Sequence, residues 1–223
     1  MGFTVVSFSS GTAYSGCDSD TKFTSTAESA CLFGNTPYYF IGRYISNTDY
    51  EQSGDLSNTE LTYLTQEGWA VAVIQHALAG GTTLTESLGV TIANNAISNA
   101  ESISAPSGTT LWLDVENFAA DSSAQAFCAA WGDTVNRSGN FGAGLYYGSP
   151  GLTSSEVQYL LDDQLFFWAW SGCGQVTGIG ESLRQGPCDT SMSGTCNGVT
   201  YTVSIDEDTK LSTATVGGFV AYA

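Results

Sequence analysis

A chain of 223 residues that is 42% hydrophobic and 12% aromatic can build one packed core, and it lacks the composition of a disordered segment. Five basic against 22 acidic residues give a formal net charge of −17. That balance argues against nucleic acid and against an anionic membrane surface as partners, since both need clustered Lys and Arg.

Read in chain order, apolar runs of strand length alternate with helix-like stretches. A strand-like start over 2–10 comes first, then strands near 13–18, 38–44 and 69–75. The third of these, in GWAVAVIQ, follows a helix start in which Ser57 is the N-cap and Glu60 stands three residues on, the pattern of a capping box. The alanine-rich TIANNAISNAESI predicts a helix before the strand at 110–116. Helices in AQAFCAAWGDTV and SSEVQYLLDD then separate strands at 142–147 and 164–170, and two more strands are expected at 180–186 and 200–206. Strand and helix in alternation predict an α/β fold with a parallel sheet. Eight strands in this length predict a compact (β/α)8 TIM barrel, with the segment 2–10 packed outside it. The last connections are too short for full helices, so the C-terminal units should be degenerate. A doubly wound open sheet is the alternative, but no GxGxxG or P-loop follows the first strand. No linker or repeat divides the chain, and residues 1–223 are expected to form a single domain.

Six cysteines, no CxxC and a single histidine, His76, argue for disulfides and against a zinc cluster. Disulfides imply an oxidising, extracellular setting, as does the acidic, lysine-poor surface. Cys17–Cys31 and Cys188–Cys196 would close short loops and leave Cys128–Cys173, although spacing alone does not fix the connectivity. Asn136-Arg137-Ser138 has the pattern of a glycosylation acceptor. The opening MGFTVVSFSS has no basic start, so secretion would imply a leader already removed. No apolar run is long enough to span a membrane.

In a barrel of this kind chemistry gathers at the C-terminal strand ends. There the sequence places Asp18, Arg43 with Tyr44, Gln75 with His76, Asp114 with Glu116, Tyr146 with Tyr147, Trp168 with Trp170, Arg184 with Gln185, and Asp206 with Asp208. Residues two apart on a strand face the same side, roughly 6.6 Å apart along it, so Asp114 and Glu116 point together. Paired carboxylates are the equipment of glycoside hydrolysis: one is kept protonated to donate to the leaving oxygen, and the other stays ionised. The plainer reading is that acids at strand ends cap the next helix. By the same weighing, Trp168 and Trp170 are core residues or a sugar platform. Asp206, Glu207 and Asp208 form a solvated turn or a weak calcium site. Arg43, one of only five basic residues, should pair with a carboxylate.

Several segments together carry a resemblance. SGCDSD, YFIGRYIS, LSNTELTYLTQEGWAVAVIQ, GVTIANNAISNAESISAPSGTTLWLDVE, FGAGLYYG and FFWAWSG, in that order, resemble the glycoside-hydrolase-like TIM barrels of the domain of unknown function 1906 type, distant relatives of the family 25 lysozymes. The resemblance covers roughly residues 14 to 208 and is poorest beyond residue 172. It implies an acidic site at the strand ends, with Asp18 closing the first strand, Asp114 and Glu116 the fourth, and Asp206 following the last. By that matching Glu116 is the general acid. Asp114 stabilises developing positive charge or orients an N-acetyl group, and Asp18 completes the catalytic set. Asp206, Arg43, Gln75, Tyr147, Trp168 and Trp170 are the expected substrate-binding residues. The implied activity is that of a secreted muramidase cleaving the glycan backbone of peptidoglycan, acting as a monomer without metal or cofactor. The alternatives are a non-catalytic cell-wall glycan-binding module and a glycosidase acting on a chitin-like neutral glycan. The second alternative fits the net charge better, since bacterial walls are themselves anionic.

Overall fold

A computed structural model describes residues 2–116, 118, 121–148, 151–175 and 178–223. The expected barrel is present. Strands β2 (Tyr14–Ser19), β3 (Phe40–Ile45), β4 (Ala70–Gln75), β5 (Thr110–Val115), β6 (Gly142–Tyr147), β7 (Trp168–Ser171) and β8 (Leu183–Gln185) run parallel where they pair. The ring is completed by β10 (Val199–Lys210), which lies between β8 and β2, and it closes where β4 pairs β5. The eighth strand departs from the parallel expectation, because β10 is antiparallel to both neighbours. No helix separates it from the strand before it, so the chain returns by a hairpin instead of a crossover.

That hairpin was not foreseen. β9 (Thr190–Cys196) pairs with the first half of β10, from Val199↔Cys196 to Ile205↔Thr190. Its turn is Asn197-Gly198, with φ of 53° and 80°, the left-handed pair that a tight two-residue turn requires. Only the second half of β10, Asp206 to Lys210, enters the barrel. Outside the ring, β1 (Phe3–Phe8) pairs antiparallel with the unforeseen β11 (Val216–Tyr222), and Val220 of β11 sits opposite Val71 near the start of β4. Phe8, Phe40 and Phe219 meet edge-on or tilted there and stopper the N-terminal end.

Five helices cover the outside among the described residues: α1 (Thr26–Asn35), α2 (Asn58–Gln66), α3 (Glu86–Ser102), α4 (Ser122–Arg137) and α5 (Ser154–Asp162). Each begins at a Ser, Thr or Asp whose side chain accepts a backbone N–H of the first turn. Ser57 does cap α2, but Glu60 does not reach back to complete a box. Its carboxylate instead takes the Arg43 Nε at 2.8 Å and the Phe23 amide at 2.9 Å. The full capping box is at Thr153 and Glu156.

The disulfides differ from the short-loop expectation. Cys31 pairs with Cys196, 165 residues on, and Cys173 pairs with Cys188, while Cys17 and Cys128 are free and buried. The β9–β10 hairpin is what folds Cys196 back against α1. Asn136 is no accessible glycan acceptor either. It lies within α4, donates to the Leu165 carbonyl at 3.0 Å and accepts from the Ala143 amide at 3.0 Å. None of the described helices is long and apolar enough to cross a membrane.

Candidate active site at the mouth of the barrel

Strand parity places the acids. On β5, Trp112 belongs to the barrel interior with Phe40, Tyr44, Ile74, Tyr146 and Trp170, whereas Leu111, Leu113 and Val115 pack against the helices. Asp114 and Glu116 share the parity of Trp112 and therefore face inward at the C-terminal mouth. Asp114 is 5% exposed, and it accepts from the Ala77 backbone while its Oδ1 has no hydrogen-bond partner. Glu116 is half-buried. A Cβ built on Gly148 would lie 1.7 Å from the Glu116 Oε1, so only glycine at the end of β6 leaves room for this carboxylate.

Asp18 and Asp206 come from opposite ends of the sequence and face each other across the β2–β10 register. The Asp18 Oδ1 accepts the Tyr44 hydroxyl at 3.1 Å, and its Oδ2 accepts the Gln185 Nε2 at 2.7 Å. Gln185 also reaches the Asp206 Oδ2 at 3.1 Å, and the Asp189 amide donates to the Asp206 Oδ1 at 2.5 Å. One layer deeper, the Trp170 Nε1 donates to the Asp208 Oδ1 at 2.9 Å. Above these groups opens a hollow of about 390 Å³ lined by Asp18, Asp20, Tyr44, His76, Asp114, Asp189 and Asp206.

Burial dominates the electrostatics. It pushes Asp18 up to about 7, with the neighbouring Asp206 adding to the rise. Asp114 is driven up by burial and then by Glu116 and Asp18. Glu116 also rises, through burial and then Asp206. These acids hold their protons longer than free carboxyls do, which is what a proton donor at a glycosidic oxygen requires. His76 stacks on Tyr44 with ring centroids 4.8 Å apart, and its Nε2 lies 3.2 Å from the Asp55 Oδ1. Burial lowers the His76 pKa against the pull of Asp55.

The structure thus brings Asp18, Asp114, Glu116 and Asp206 to one mouth. It does not bring the remaining expected binding residues there. Arg43 points outward, fully buried, to Glu60 of α2 and to the Ser19 and Gly54 carbonyls, so it is the paired arginine the sequence predicts and not a sugar ligand. Gln75 also faces the helices, donating to the Ile92 carbonyl at 2.9 Å and accepting the Trp131 Nε1 at 2.7 Å. Tyr147 belongs to the same outer layer. Trp168 opens β7 near Gly217 of β11, at the opposite end of the barrel from the mouth. Trp170 is interior but fully buried beneath the hollow, where it holds Asp208 and offers no open face. In each outward case the chosen residue is one position off the inward parity. Tyr44, His76 and Tyr146 are the correct neighbours, and counting by twos through each strand register from Asp114 finds them. Asp206, Glu207 and Asp208 form part of a paired strand and not a turn. Among the described residues, one trio is spaced to hold a metal, Cys173, Cys188 and Asp206, and its two sulfurs are spent in a disulfide.

A family model described as "Rv2525c-like, glycoside hydrolase-like domain" matches residues 31–179, more than half of the chain. The chain belongs to this family. Among solved structures, it resembles an uncharacterized protein from B. stearothermophilus, with a TM-score of 0.67 and 19% identity over 87% of this chain and 94% of that one. It also resembles the Tat-secreted protein Rv2525c from Mycobacterium tuberculosis, with a TM-score of 0.64 and 15% identity over 89% of this chain and 95% of that one. The modular autolysin LytC from Streptococcus pneumoniae gives a TM-score of 0.62 and 11% identity over 89% of this chain and 47% of that one. No curated protein sequence matches the chain. At these identities the likeness is one of fold. This Rv2525c-like domain therefore shares its glycoside hydrolase-like barrel with cell-wall lytic enzymes. Four of its acids, Asp18, Asp114, Glu116 and Asp206, meet at the mouth of that barrel.

Proposed function

We propose that this Rv2525c-like domain is a secreted, monomeric, single-domain glycoside hydrolase of muramidase type that cleaves the glycan backbone of peptidoglycan. The observation that carries the reading is the inward-facing Asp114–Glu116 pair at the end of β5, with Asp114 lining the same hollow as Asp18 and Asp206 and Glu116 within electrostatic reach of Asp206. Glu116, half-buried and raised, is the general acid that protonates the leaving oxygen. Asp114, which keeps its proton, orients the N-acetyl group of the sugar, since its Oδ1 is left without a partner and can accept the amide N–H. Asp18, fixed by Tyr44 and Gln185, completes the acidic wall, and Asp206 with the stacked Tyr44–His76 pair forms the sugar-binding side. The two disulfides and the scarcity of Lys support an extracellular location.

The test is Glu116→Gln, which keeps the shape and removes the proton. Release of reducing ends from purified bacterial cell walls should fall by about 10²–10⁴-fold with the fold intact by circular dichroism. Unchanged turnover would remove Glu116 from its role. A second reading, a glycosidase of neutral chitin-like polymers, is favoured by the net charge of −17, which repels an anionic wall. Mass spectrometry of products from a panel of both polymers separates the two, and tight binding with no product from either would favour the glycan-binding module.

A further inference from the structure

Asp208 has no role in the site as described so far, yet its surroundings are unusual. It is 2% exposed, on the barrel half of β10, with its Oδ1 holding the Trp170 indole at 2.9 Å. Its Oδ2 is buried without a hydrogen-bond donor. Its carboxyl is nevertheless in hydrogen-bonding contact with Asp18, whose own two oxygens already receive the Tyr44 hydroxyl and the Gln185 amide. Two carboxylates cannot meet in this way if both are ionised, because neither has a hydrogen to give. An acceptor oxygen left without a donor in a dry site is costly, and a proton on it turns the deficit into a bond.

From this geometry we infer that Asp208 is a positioning residue, a neutral carboxylic acid that donates from its Oδ2 to Asp18 and so fixes the orientation and the single negative charge of that active-site acid. The acidic groups around it all point the same way. Asp18 faces it from β2, Tyr146 from β6 and Asp206 from its own strand, while Cys17 and Tyr38 act on it from the helix-facing side of the barrel wall. The one basic group on the same face, Lys210 two residues along β10, spends its Nζ on the Ser9 and Thr12 carbonyls, and β7 and β8 contribute the uncharged Trp170 and Gln185. Burial and then Asp18 drive the Asp208 pKa well upward, in keeping with a retained proton.

The inference rests on the site proposed above, but it is tested without turnover, so a failure of the hydrolase reading does not decide it. The measurement is a pH titration of the aspartate side-chain carbons by ¹³C NMR on the intact chain. In the parent, Asp18 should titrate at about 7 while Asp208 stays in the acid form through neutrality. In Asp208→Asn the amide keeps both contacts, accepting from Trp170 and donating to Asp18, and the Asp18 midpoint should stay within about half a pH unit. In Asp208→Leu the donor is lost and the midpoint should rise. A fall of more than about one unit in Asp208→Asn would mean that an ionised neighbour had been removed, and it would overturn the inference. An Asp18 midpoint that does not move in a folded Asp208→Leu would overturn it as well. Should that variant not fold, Asp208→Asn decides alone.

Discussion

Gly148 is the residue with the least freedom to change at the mouth of the barrel. It ends β6 opposite the end of β5, and the Glu116 carboxylate occupies the space where a side chain would begin. Gly148→Ala puts a methyl group 1.7 Å from the Glu116 Oε1, so the carboxylate must swing away from Asp114 and Asp206. Because Glu116 is only half-buried, it has solvent to swing into, and the fold should survive. The expected result is a loss of hydrolysis approaching that of Glu116→Gln, with a thermal midpoint within a few degrees of the parent. Full activity in Gly148→Ala would mean that Glu116 works from another position. At this scale the sequence was half legible. Asp114 and Glu116 announced themselves as charges at the end of an apolar strand, and the family resemblance added Asp18 and Asp206. Arg43, Gln75 and Tyr147 were misplaced because a polar residue at a strand end does not show which way it faces. The inward parity was in fact set by Trp112 and Asp114, and it selects Tyr44, His76 and Tyr146.

The barrel strands were legible at the scale of elements because buried parallel strands are continuous apolar runs, and Phe40–Ile45, Ala70–Gln75 and Thr110–Val115 are buried throughout. The β9 strand was missed because its sequence, TSMSGTC, is polar with alternating exposure, although the Asn-Gly turn beside it was a readable hairpin signal. That omission explains the error in the disulfides. Without the hairpin nothing returns Cys196 to Cys31, and short loops look preferable. The hairpin packs on α1, and the Cys31–Cys196 bridge closes a loop of 165 residues there. In the chain-entropy account a loop this long is worth about 5 kcal/mol, with engineered and native examples spread below that value. Replacing both cysteines by serine should lower stability to denaturant by about 2 kcal/mol more than opening Cys173–Cys188, whose separation of 15 residues is worth about 3 kcal/mol in the same account. Equal effects of the two double variants in urea unfolding would refute the ranking. Asp206, Glu207 and Asp208 were read as a solvated turn or a weak calcium site for the same reason: β10 continues five residues into the barrel, beyond where its hairpin half stops pairing.

For the whole molecule, gathering buried acids at one mouth gives stability a defined dependence on pH. The Asp18 pKa is raised from 3.8 to about 7, so the native state keeps a proton that the unfolded chain releases. Stability from this group is therefore complete below about pH 4 and is lost as pH rises toward 7, at about 1.4 kcal/mol per pH unit across that window. Asp114 and Asp208, both driven upward chiefly by burial, add to the slope with the same sign. A net charge of −17 adds self-repulsion that also grows as carboxyls ionise. Two groups oppose the trend. Against its burial, Arg184 and the Gly178 and Ile179 amides hold Glu181 low, and His76, lowered by burial, disfavours the native state once it is protonated. Three buried acids outweigh them, so urea midpoints should be higher near pH 4.5 than near pH 7.5. Asp18→Asn should flatten the slope without abolishing it, because Asp114 and Asp208 remain. Stability that rose from pH 4.5 to pH 7.5 would mean that these carboxyls are ionised and paired in the folded protein, and the protonated acidic mouth on which the proposed chemistry depends would not exist.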